Sequence, residues 1–304
     1  MLKQLRTSVF AAALAGASGA AAASAAAPAP LDVQGYLALH GRDPDARIAY
    51  GSAPSQFVEL FKPAGAGPFP VVVLVHGGCW TVQFGGITQM RDMAGYLAAR
   101  GIAVWNVEYR RVDEAGGGYP GMYDDVADAF DRLKQDAPAL GLDVTRLVAV
   151  GHSAGGHLAQ WAASRHKLPA ASPVYRAAPL AVPVVISLGG LADLRHEAAL
   201  IKSSCGRDMA QLAGAASAAR PDIFADTSPA ELLPSGVRTL LITGALDTIS
   251  PPRVAHDYAR RATAAGDDAT AVILPGASHY DEVAPAAPAW PTTYAHIRQA
   301  LALD

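Results

Sequence analysis

The stretch VAVGHSAGGHLAQ, Val148–Gln160, governs how the rest of the chain is read. An apolar run, LVAV (147–150), stops at Gly151, and a helical pattern begins near Gly155. Between them three glycines surround one serine, Ser153. Glycine loses more backbone freedom on folding than other residues, so a cluster at such a junction marks a turn too sharp for side chains. Gly151-His152-Ser153-Ala154-Gly155 fits G-x-S-x-G, in which a strained strand-to-helix turn lifts the serine hydroxyl above a sheet edge. The helix N-terminus beneath it favours developing negative charge. The strand before and the helix after separate this reading from a decorative glycine turn, and Ser153 is the expected nucleophile.

Working outward, apolar runs alternate with helical patterns. FVELF (57–61), VVVLV (71–75), IAVWNVEY (102–109), VPVVISL (182–188), RTLLIT (238–243) and AVILP (271–275) read as strands. Helices are expected over 88–99, 122–135, about 155–165 and about 252–264, with a last one from about Pro291. Continuous apolar strands between helices predict a mostly parallel sheet covered on both faces, with ligands at its carboxyl edge. Residues 28–55 read as an irregular entry. Residues 190–236 carry no clear pattern and read as a pocket wall or small lid, with a helix packed on it within 208–219.

A carbonyl attacked by Ser153 becomes an oxyanion and needs preorganised donors. One is the backbone N–H of Ala154, the residue after the nucleophile. Others are expected from His76-Gly77-Gly78-Cys79-Trp80, the glycine loop after an earlier strand, with Gly78 and Cys79 as donors and Gly77 giving room. His76 reads as a structural residue holding that loop. The base and acid follow in the order Ser, Asp/Glu, His: Asp247 and His279 each lie just past a strand end. Of nine histidines, His152 and His157 sit too close to Ser153 along the chain, and the others lack this context. Asp193, Asp281 and Glu282 compete for the acid role but fit it less well.

HGGCW (76–80), GHSAGGHL (151–158), DTSPAELL (226–233), GALDTISPP (244–252) and GASHY (276–280) together resemble the α/β-hydrolase fold, in its esterase/lipase-like branch. That branch holds hormone-sensitive-lipase-like carboxylesterases, small bacterial feruloyl and acetylxylan esterases, and kynurenine formamidase. The resemblance runs from about Phe57 to the end. It implies a Ser153–Asp247–His279 triad, an oxyanion hole from Gly78, Cys79 and Ala154, Trp80 in the substrate pocket and no large cap domain. Cys79 departs from the residues usual at its position.

The chain opens MLKQLRTSVFAAALAGASG, with Lys3 and Arg6 before an apolar stretch and small residues up to Ala27. This is the layout of a secretory signal peptide over 1–27, leaving a catalytic domain over 28–304 in the periplasm or medium. Without Lys3 and Arg6, 22 basic face 27 acidic side chains. Nothing forms a basic face for nucleic acid or a polybasic membrane patch, and no membrane span is expected. Gly116-Gly117-Gly118 has no G-K-[ST] sequel, and no HExxH or CxxC suggests a metal. Cys79 and Cys205 read as two unpaired buried thiols rather than a bridge tying the oxyanion loop to the pocket wall. The expectation is a cofactor-free serine hydrolase of small carboxylic esters. A formamidase-type amidase is the first rival, ahead of a peptidase or a scaffold reused for binding.

Overall fold

A computed structural model describes residues 28–303, and the expected leader lies outside them. A short helix α1 (Val33–Leu37) precedes β1 (Ala46–Ala49), β2 (Phe57–Phe61), β3 (Phe69–Val75) and α2 (Arg91–Ala98). Next come β4 (Ala103–Val107), α3 (Gly121–Leu140), β5 (Leu142–His152), α4 (Ala154–Ser164) and β6 (Val184–Leu188). Helices α5 (Ala198–Cys205) and α6 (Met209–Ala213) lead to β7 (Arg238–Gly244), α7 (Pro252–Ala265), β8 (Ala269–Leu274) and α8 (Trp290–Ala300). The eight strands make one sheet, ordered β1-β2-β4-β3-β5-β6-β7-β8. β1 and β4 each pair antiparallel with β2, and every other pairing is parallel. This is the α/β-hydrolase architecture, with no large cap domain among the described residues.

β3 shows why these runs become strands. All of FPVVVLV after Phe69 is buried, and its side chains alternate between the two faces of the sheet. Val71, Val73 and Val75 join Phe130 of α3 and Leu158 of α4 in one core. Val72 and Leu74 join Met93 of α2 and Ile297 of α8 in a second. Covered on both faces, the strand has no polar side, hence the unbroken apolar sequence. Each such aliphatic side chain contributes about 1.5–3 kcal/mol by leaving water. A Val73→Asp change would bury an unpaired charge in the first core.

Two stretches differ from expectation. The entry over 28–55 holds a short polar-faced strand, β1, and α1, whose Asp32 cap accepts from Gly35 N at 2.8 Å. This segment is tied to the carboxyl edge: Leu31 N donates to Asp281 Oδ1 at 3.1 Å, and Ser278 Oγ donates to Leu31 O at 2.7 Å. Within 190–236 lie α5 and α6. The helix expected over 208–219 stops at Ala213, because Gly214 takes a positive φ of 72° and ends it. No helix among the described residues is long and apolar enough to cross a membrane.

Candidate active site

The six parallel strands, β3 to β8, end at one edge, where the loops that follow them gather. After β5, Ser153 sits at φ 53°, ψ −120°, a conformation that L side chains rarely adopt. Such strain costs on the order of 1–3 kcal/mol and persists only where the surroundings impose it. Here they do: Ser153 N donates to Leu188 O at 2.8 Å. A Cβ on Gly155 would fall 2.1 Å from Val75 O, and one on Gly151 would fall 2.1 Å from Gly155 O. The two glycines of the motif are therefore demanded by backbone contact.

The loop after β3 runs beside the serine, since a Cβ on Gly77 would stand 2.9 Å from Ser153 Cβ. Among the described residues, the backbone N–H groups of Gly78, Cys79 and Ala154 are engaged in no hydrogen bond. His76 holds the loop, as expected, with Nδ1 against Gly77 O and Nε2 against Glu108 Oε1, both at 2.8 Å. Burial raises the Glu108 carboxyl, but His76 and Arg111 outweigh it and hold it below its ordinary range.

Two expectations about this loop are corrected. Cys79 and Cys205 are joined in a disulfide, because α5, unseen in the sequence, carries Cys205 up to the loop. Trp80 is fully buried and is not among the residues that line the cavity with Ser153. Consecutive positive φ values at Cys79 and Trp80, 51° and 56°, turn the indole inward, where its Nε1 donates to His157 Nδ1 at 3.3 Å. His157 in turn faces Thr227 O through Nε2 at 2.8 Å, so its ring is fully engaged, and burial drives its pKa down to about 4.

On the opposite side, His279 Nδ1 lies 2.6 Å from Asp247 Oδ2, with both residues nearly inaccessible. Asp247 Oδ1 accepts from the Ile249 and Ser250 N–H groups, each at 2.8 Å. Of the rival acids, Asp193 is bound by His196 and Arg261, and Asp281 accepts from Leu31 and Ser278. Glu282 is buried behind the Asp247–His279 pair. His152 Nε2 faces His279 O at 3.0 Å and, meeting an acceptor, carries the ring proton. Burial first, then His279, hold His152 well below the ordinary imidazole range.

Ser153 and His279 line one cavity of about 420 Å³, mouth included, together with Gly78, Cys79, Phe84 and Ile249. A nucleophilic hydroxyl, a base held by a carboxylate and free N–H donors around a small apolar cavity suit attack on a carbonyl.

The BD-FAE family model matches residues 58–261. The chain belongs to the BD-FAE family. That match contains Ser153 and Asp247, while His279 follows it. The chain is also 30% identical over 129 residues to a probable isoprenylcysteine alpha-carbonyl methylesterase of Oryza sativa subsp. japonica, covering 41% of this chain and 30% of the relative. The corresponding Arabidopsis thaliana methylesterase is 32% identical over 113 residues, 37% of this chain and 26% of the relative. The chain thus spans less than a third of the length of either. Among solved structures, esterase B from Lactobacillus rhamnosis superposes with a TM-score of 0.72 at 20% identity, over 89% of this chain and 90% of that one. A truncated carbohydrate esterase from gut microbiota gives 0.69 at 18%, over 84% and 95%.

In this BD-FAE chain the sequence reading missed Tyr36, Tyr280 and Ser204, which also line the cavity. Tyr36 stacks on Tyr280 at 5.2 Å, and nothing in its local sequence marks it. Two clusters bring potential ligand atoms together: His152, His279 and Glu282, and Asp193, His196 and Glu231. In the first, His279 Nδ1 is taken up by Asp247. In the second, Arg261 already pairs with both carboxylates.

Proposed function

We propose that this chain is a serine esterase for small carboxylic esters. The observation that carries the reading is Ser153 on its strained turn, in one cavity with His279, Gly78 and Cys79, the N–H groups of the latter two and of the adjacent Ala154 being unengaged. Ser153 Oγ attacks the ester carbonyl while His279 Nε2 takes its proton. Asp247 holds the Nδ1–H tautomer and stabilises the imidazolium. The Gly78, Cys79 and Ala154 N–H groups receive the oxyanion. The imidazolium returns the proton to the departing alkoxide, leaving an acyl-Ser153 ester. Water, deprotonated by His279, then releases the acid and restores the hydroxyl.

The methylesterase and esterase relatives support an ester, and the small cavity supports a short acyl group. One solved neighbour, Est2 from Thermogutta terrifontis, holds propionate at a TM-score of 0.67 and 21% identity, over 84% of this chain and 93% of that one. We further propose that the protein is exported, on the leader-like residues 1–27 and the disulfide.

The test compares the protein with Ser153→Ala on aryl acetate, aryl butyrate, methyl ferulate, acetylated xylan and an N-formyl aryl amine. Fast ester cleavage lost by orders of magnitude in the variant upholds the proposal. Turnover of the formyl amide alone replaces it with the formamidase reading, and a fully active variant refutes the mechanism.

A further inference from the structure

Glu282 has no part in the chemistry above, yet it lies fully buried behind it. It stands on a short turn, Asp281–Val283, three residues past His279. Its Oε1 accepts from Gly244 N at 2.7 Å, while Oε2 has no donor. A Cβ on Gly189 would lie 2.6 Å from Glu282 Oε2 and 2.8 Å from His279 Nδ1, so these two atoms flank the same point. Asp247 Oδ2 lies against the same His279 Nδ1 at 2.6 Å, so the Glu282 and Asp247 carboxyls share one buried neighbourhood. Among the described residues, no basic side chain forms an ion pair with Glu282. The titratable groups around it are Asp247, His279, His152 and Asp281.

Two carboxylates buried together around one imidazole do not both ionise readily without a cation. Counting donors decides which holds the proton. Asp247 receives three hydrogen bonds, from Ile249 N, Ser250 N and His279 Nδ1. Glu282 receives one, from Gly244 N. The proton belongs on Glu282 Oε2, the atom otherwise left without a partner.

We propose that Glu282 is a positioning residue: a neutral carboxylic acid whose Oε2–H donates to the Asp247 carboxylate and so fixes the group that orients His279. Burial, with Asp247 next, drives the Glu282 carboxyl well above its ordinary range, in the same direction. The inference rests on the serine-esterase reading, because it assigns work to the Asp247–His279 pair.

The experiment measures kcat and KM on an aryl acetate for wild type, Glu282→Met, Glu282→Gln and Ser153→Ala. Thermal unfolding and the low-field ¹H NMR signal of the His279 Nδ1 proton are recorded alongside. Glu282→Met is expected to lower kcat by about 10- to 100-fold, the range for a hydrogen bond to a charged group, with KM little changed. Glu282→Gln, whose amide donates to Asp247 while its oxygen accepts from Gly244, recovers most of that loss. The Nδ1 signal shifts in the Met variant and returns in the Gln variant. Wild-type kcat in Glu282→Met overturns the proposal, and so does a Gln variant as impaired as Met. If Met does not fold, Gln alone decides: near-wild-type kcat and an unmoved Nδ1 signal support a neutral donor, and a large loss refutes it. An inactive Ser153→Ala beside a fully active Glu282→Met sinks only the role of Glu282. An active Ser153→Ala sinks the esterase reading with it.

Discussion

The two walls of the cavity are held by different forces. The oxyanion wall, His76 to Trp80, is braced by the Cys79–Cys205 disulfide, the His76–Glu108 contact and the Trp80–His157 hydrogen bond. The acid–base wall has no covalent tie among the described residues. Asp247 and His279 share a short hydrogen bond, and the Asp247 and Glu282 carboxyls accept from backbone N–H groups. The difference fits the roles proposed for the two walls. Donors for an oxyanion must stay still, and a covalent brace costs them nothing. A base must change charge in each cycle, and only hydrogen bonds can follow that change. The walls also answer pH in opposite directions, since burial lowers the pKa of His157 on one side and raises that of Glu282 on the other.

Breaking the acid–base wall has the largest expected effect. Asp247→Asn favours the wrong imidazole tautomer, and kcat is expected to fall by about 10⁴-fold with the fold intact by circular dichroism. Loosening the other wall costs less. Cys205→Ser leaves every N–H in place but removes the brace, so kcat is expected to drop about tenfold, short of the 10²–10³ for a lost donor. Stability in urea falls alongside by about 2–5 kcal/mol.

The pH contrast gives two smaller effects. His157 binds its proton less readily when folded, so the unfolded chain takes up protons first on acidification. Stability is therefore lost as pH falls from about 6.5 to about 4, by about 3 kcal/mol in all, and His157→Gln flattens that slope. Glu282 works the other way. The unfolded carboxyl releases its proton near the ordinary pKa while the folded one keeps it, so stability declines as pH rises above that point. Glu282→Gln has no proton to lose and is expected to gain in Tm on wild type between pH 4 and pH 7. A Tm difference independent of pH would contradict the protonated assignment.

Much of this was legible in the sequence because the signals were local. β3 to β8 are apolar runs bounded by turns, and the glycines at 151 and 155 are needed for backbone contacts that any homologous turn would make. Asp247 and His279 could be read from their places just past strands. What escaped depends on contacts between distant segments. β1 is short and alternately exposed, so it lacks an apolar run, and α1 spans only five residues. Tyr36 reaches the cavity only because Leu31 is tied to Asp281 and Ser278, some 250 positions away. The Cys79–Cys205 bridge needed α5, and the inward turn of Trp80 needed two left-handed residues outside any glycine. Glu282 looked like a weaker rival of Asp247, and only the third dimension gathers both carboxyls about His279.

Ser153, as the group that takes the acyl chain, is the centre of the proposed mechanism. The most direct measurement is to treat wild type and Ser153→Ala with an aryl phosphonate ester and locate the adduct by peptide mass spectrometry. A single phosphonyl group on the peptide carrying Ser153, matching the loss of esterase activity and absent from the variant, is the expected result. Inactivation with the adduct on another residue, or equal labelling of the variant, would contradict it.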